Sequence, residues 1–71
     1  SRSKWVKVSD GLPVVPEGQY VAKFWVADRF NRVHKLRIFA HDSKELIGFQ
    51  FQPYAHYMPR QDDTPAPPED L

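Results

Sequence analysis

The chain has 71 residues, seven prolines, no cysteine and a formal net charge of +1. It therefore has material for one small folded unit at most, and disulfides and thiolate metal sites are excluded. The charge is unevenly spread: residues 1–60 carry all ten Lys and Arg against five Asp and Glu, a net +5, whereas residues 61–71 carry four acids and no base, a net −4.

Trp5-Val6-Lys7-Val8 alternates with the period of a half-buried strand. Asp10-Gly11 and then Pro16-Glu17-Gly18 supply turn signals, and Leu12-Pro13 between them cannot continue a regular ladder. Residues 19–28 are rich in aromatic and β-branched side chains, which favours a strand. Tyr20, Ala22, Phe24 and Val26 fall on one face, and Val21, Lys23, Trp25 and Ala27 on the other. A helix is the rival reading, because Val21, Phe24 and Trp25 have helical spacing, but Asp28 interrupts that stripe. Residues 29–32, Arg-Phe-Asn-Arg, form a hairpin connection in which Asn31 tolerates the left-handed region.

Residues 33–41 read as the next strand, with His34, Leu36, Ile38 and Ala40 on an apolar face and Val33, Lys35, Arg37 and Phe39 on a mixed one. Residues 46–51 read as a further strand with Ile47, Phe49 and Phe51 on one side, closed by Pro53. Short connections join antiparallel neighbours. The expected fold is mainly β: a small antiparallel sheet of three or four strands, arranged as a meander, over residues 1–60. Its core draws on Trp5, Phe24, Val26, Leu36, Ile38, Ile47, Phe49 and Phe51. Residues 61–71 are acidic, Pro-rich and without apolar periodicity, and are expected to form a disordered tail.

Catalytic chemistry finds little to build on. Ser9, Ser43 and Thr64 sit in turns or the tail with no base or orienting group beside them. The body's carboxylates occupy turns or turn edges, where Asp has a conformational role, and no glycine-rich phosphate loop exists. His34, His41 and His56 do not form a converging ligand set, and no cysteine completes one. No enzyme activity, metal or cofactor is expected.

Binding has more to work with. Trp25, Phe39, Lys35 and Arg37 share the second sheet face and are the expected protein contact surface, with Trp25 and Phe39 exposed for a partner or a second copy of the chain. Lys23 on the neighbouring strand joins them. Arg29, Phe30, Arg32, Lys35 and Arg37 offer an alternative: cations for phosphates, with an aromatic ring to stack on an unpaired base. The plainer reading of these charges is a solvated edge that discourages strand-to-strand aggregation.

Two end motifs add context. The opening Trp5-Val6-Lys7-Val8-Ser9-Asp10-Gly11-Leu12-Pro13, with Glu17-Gly18 following, and the closing His56-Tyr57-Met58-Pro59 with Pro67-Pro68, resemble a family of short phage and prophage proteins known only as a domain of unknown function. Tyr57 stands where that family usually has Trp, and Val14-Val15-Pro16 lengthens the first link. The resemblance implies a phage-encoded accessory protein acting on a bacterial host factor, and carries over no catalytic residue.

The expected function is thus a non-enzymatic protein-binding module that engages or inhibits a host protein. The alternatives are a nucleic-acid-binding module and a self-associating structural protein. No apolar run reaches membrane-spanning length, since Lys23, Arg29 and Lys35 break the longest candidates. The N-terminus lacks the layout of a signal peptide, and a cysteine-free domain of this size fits a reducing cytoplasm.

Overall fold

A computed structural model describes residues 4–69. Ser1 to Ser3 and the last two tail positions, Asp70 and Leu71, lie outside the described residues. The chain forms β1 (Val6–Lys7), a 3-10 turn at Val8–Asp10, β2 (Val21–Asp28), β3 (Val33–Phe39), α1 (Lys44–Phe51) and β4 (Tyr54–Pro59). The architecture is mainly β: one four-stranded antiparallel sheet in the order β1-β4-β2-β3, with one short helix.

The β2–β3 hairpin matches the expectation, and the rival helix at β2 does not form. Its turn is set by Asp28, whose Oδ1 accepts from the backbone N–H groups of Phe30 and Arg32, each at 2.9 Å. Asn31 takes the left-handed conformation with φ 65°, a region that Asn tolerates better than most residues.

Two features depart from the expected meander. Residues 46–51 belong to a helix, not a strand. Ser43 caps it, its Oγ accepting from Leu46 N–H at 3.1 Å, and satisfies a donor that a helix start leaves without an intrahelical partner. Ile47 and Phe51, one helical turn apart, face the sheet and are buried, while Phe49 between them points outward and is 72% exposed. The helix ends at Phe51, with Gln52 still at helical angles (φ −56°, ψ −39°) as its C-cap, and Pro53, which has no N–H to donate, follows it.

The helix then allows β4 to return across the sheet between β1 and β2 instead of beside β3. β4 meets β2 with Trp25 opposite Met58 and Ala27 opposite His56. The next pair is Asp28 with Tyr54, so Ala55 has no register partner and the strand carries a bulge there. Pro59 is compatible with this inner strand. Arg60 N–H donates to Lys23 O at 3.0 Å, so the ladder bonds alternate in a phase that points the Pro59 nitrogen away from β2, and no ladder bond is lost.

The core lies between the sheet and α1. Phe24, Val26, Ile38, Ile47, Phe51 and Ala22 are buried together, with Val8, Val15, Leu36, Tyr54 and Tyr57 packed around them. Tyr57 meets Phe24 and Phe51 edge-on, at ring-centre distances of 5.8 and 5.6 Å, a favoured aromatic geometry. Its hydroxyl donates to Gly11 O at 3.0 Å and ties the first loop to β4. Desolvation, with a smaller contribution from the Asp10 charge, holds this phenol above its ordinary pKa. Of the expected core, Phe49 lies outside, and Trp5 belongs to the opposite face of the sheet.

Candidate functional site

On a pleated strand alternate residues share a face. The registers therefore place Lys23, Trp25 and Ala27 of β2, Lys35 and Arg37 of β3, and His56 and Met58 of β4 together on the face away from α1. The centre of this face is covered by the chain that follows β4. Gln61 O accepts from Trp25 Nε1 at 3.2 Å, Ala66 O accepts from Trp5 Nε1 at 2.9 Å, and Pro68 is fully buried. Residues 61–69 carry neither helix nor strand, and they lie against the sheet at these points. Trp25, at 4% exposure, is buried along with Ala27, Met58 and His56. The exposure expected for Trp25 is not found, because the protein's own C-terminal segment occupies the place assigned to a partner.

The rim of the face toward β3 remains open and is basic. Lys23, Lys35, Arg37 and Arg60, with Leu36, line a shallow depression of about 260 Å³. Lys35 Nζ lies 5.6 Å and Arg60 Cζ 5.8 Å from the centre of the Trp25 ring, within cation–π range. Both cations thus sit against the one indole. Among the described residues the only ion pairs are His34 with Asp28 and His41 with Asp42. None of the four cations has a carboxylate within reach there, and Asp62 and Asp63 stay exposed at the start of the tail. Arg60 Nε is buried and makes no hydrogen bond among the described residues. Four like charges around one hollow produce a positive potential that an anion would relieve.

The structure brings Lys35 and Arg37 of the expected surface together with Lys23. Phe39 is half-buried at the end of β3, against Tyr20 and His41 at ring-centre distances of 5.6 and 5.9 Å. Sequence reasoning missed Arg60. The alternation of His56, Met58 and Arg60 through β4 carried the signal, hidden because the last strand was expected to close at Pro53.

The hairpin tip is a separate feature. Phe30 is 82% exposed and Arg32 Cζ lies 5.9 Å from its ring centre. Arg29 is exposed and donates to Gln52 O at 2.9 Å. Asp28 Oδ2 meets His34 Nε2 at 2.9 Å. The Arg32 backbone N–H, then His34 and, to a lesser extent, the Phe30 N–H, hold the Asp28 carboxyl below its ordinary pKa against the opposing effect of burial.

Of the side chains weighed for chemistry, Ser43 Oγ is engaged as the helix cap. His34 and His56 lie on opposite faces, since their β2 partners Val26 and Ala27 do. Among the described residues no group of three or more His, Cys, Asp or Glu is placed to hold a metal ion, and no helix is long and apolar enough to cross a membrane. Comparison with family models, curated proteins and solved structures returns no match.

Proposed function

We propose that this chain is a non-enzymatic protein-binding module whose contact surface is the open basic rim formed by Lys23, Lys35, Arg37 and Arg60, and whose partner presents carboxylates there. The observation that carries this reading is the grouping of four cations around one depression with no carboxylate partner among the described residues. An isolated surface cation is well solvated and needs no explanation. Four that share a hollow, two of them over one indole, repel one another and favour an anionic occupant. The resemblance of the two end motifs to short phage and prophage proteins supports a phage-encoded origin, with a bacterial host protein as the target.

Capture from bacterial lysate tests the reading, with wild type and the Lys35→Glu/Arg37→Glu variant compared after nuclease treatment. The expected result is a protein retained by wild type, insensitive to nuclease and lost from the variant. Equal capture by the two chains would remove this rim from consideration.

A second reading rests on Phe30, which stands almost fully exposed beside Arg32. Stacking of an unpaired base on this ring, with Lys35 and Arg37 on phosphates, describes a nucleic-acid interface. It predicts capture that disappears with nuclease and an affinity that falls steeply with salt.

A further inference from the structure

We infer that the rim recognises its partner by strand addition: an extended acidic segment pairs antiparallel with the outer edge of β3, its carboxylates at alternate positions opposite Lys35 and Arg37. This inference rests on the protein-binding reading above and specifies the form of the partner.

The phase of the β2–β3 ladder decides which groups of β3 face outward. Asp28 N–H donates to Arg32 O at 3.0 Å, and Ala40 N–H donates to Tyr20 O at 2.8 Å. In an antiparallel pair the hydrogen-bonded positions alternate. The bonded pairs are therefore Val26 with His34, Phe24 with Leu36, and Ala22 with Ile38. Val33, Lys35, Arg37 and Phe39 point their N–H and C=O groups away from β2. β3 ends the sheet order, so these groups meet no further strand.

One of the four positions is already closed. Phe39 N–H donates to Asp42 Oδ2 at 2.9 Å, and Phe39 O accepts from Asp42 N–H at 3.0 Å. Among the described residues nothing comparable engages the outward groups of Lys35 or Arg37. Of the three outward positions left open, Val33, Lys35 and Arg37, the last two are those that project cations from β3 onto the basic rim.

This coincidence defines an occupant. A strand added at this edge places residues directly opposite Lys35 and Arg37, with Cα atoms about 5.5 Å apart and side chains on the same face. Acidic residues two positions apart would meet Lys35 and Arg37, with Lys23 and Arg60 behind them. The residue between would lie beside half-buried Leu36 on the other face, where an apolar side chain fits. The pattern is acidic, apolar, acidic in an extended segment, with main-chain bonds giving affinity and the cations giving register.

Two occupants closer to hand fit poorly. A second copy pairing β3 with β3 about Leu36 would set Lys35 directly against Arg37 of the other chain, and like charges opposite each other destabilise a ladder. The chain's own tail has no two acids two positions apart, and Pro65, Pro67 and Pro68 lack the N–H that pairing needs.

The test titrates the full-length ¹⁵N-labelled protein with a capped heptapeptide, Thr-Glu-Val-Glu-Val-Glu-Thr. Controls are an isomer with contiguous glutamates, and versions N-methylated at the Glu amides or at the Val amides. Strand addition predicts the largest shifts at the Val33, Lys35 and Arg37 amides. It also predicts a loss of about tenfold or more on methylating the Glu amides, which face β3, against about twofold or less for the Val amides.

Equal binding by all four peptides would overturn strand addition and leave the acidic-partner reading standing. Unchanged binding by the Arg37→Glu and Lys35→Glu/Arg37→Glu variants, folded by their own spectra, would overturn both. So would a single-stranded oligonucleotide that shifts these amides where no peptide does.

Discussion

Lys35 lies directly opposite Trp25 across the β2–β3 ladder, with its ammonium 5.6 Å from the centre of the indole ring. The same ring carries Arg60 and donates its N–H to Gln61 O. Trp25 is thus the joint between the sheet, the C-terminal segment and the basic rim. Trp25→Ala is expected to cost about 3–5 kcal/mol, as for other buried aromatic truncations, and urea unfolding measures it. Trp25→Phe keeps most of the packing and loses the hydrogen bond, for about 1 kcal/mol. Equal, small effects of both changes would mean that the ring is not buried as described.

Removal of residues 61–71 should uncover the two indoles. Trp25 and Trp5 lose their carbonyl acceptors, and the site of buried Pro68 is vacated. The expected outcome is a red-shifted tryptophan emission and a stability loss of about 1–3 kcal/mol, given about 0.5–1.5 kcal/mol per hydrogen bond. Unchanged emission and melting would show that the segment contributes nothing to this face.

The β2–β3 hairpin was legible in the sequence because its period of two is long and bounded by Asn31 and the Asp42 turn, where local propensity and burial agree. The helix was not, because Ile47, Phe49 and Phe51 satisfy two periods at once. Spacing of two suits a strand, while Ile47 and Phe51 alone are four apart and suit a helix. Ser43, three positions before the Leu46 N–H that it accepts from, was the discriminating signal. Misreading the helix also hid β4, since a chain already turned by a strand had no reason to return between β1 and β2. The site was half legible. Lys23, Lys35 and Arg37 followed from alternation, but the burial of Trp25 depends on a segment whose composition says nothing of where it packs.

Phe49 and Phe51 separate the two periods experimentally. Phe49→Glu should change stability by no more than about 0.5 kcal/mol, as for other surface substitutions, whereas Phe51→Ala should cost about 3–5 kcal/mol. Ser43→Ala should cost about 1 kcal/mol through loss of the cap. Denaturant midpoints measure all three. A severe effect of Phe49→Glu would restore the strand reading.

Acid should weaken the hairpin through Asp28. Its carboxyl is held below the ordinary aspartate value of 3.8, chiefly by the Arg32 N–H and next by His34. A group with a depressed pKa in the folded state binds fewer protons there than in the unfolded chain, so it stabilises the fold above its unfolded pKa. That stability begins to fail near pH 3.8 and is gone once the pH has fallen through the lower folded value. Asp28→Asn keeps an acceptor for the Phe30 and Arg32 N–H groups but removes the charge, and so removes this dependence. Thermal melts of the two chains across the acid range should show wild type more stable above pH 3.8 by a steady margin that closes below it. A margin that persists to the acid limit would mean that the carboxylate's charge plays no part in holding the turn, and that geometry alone explains why Asp28 stands there.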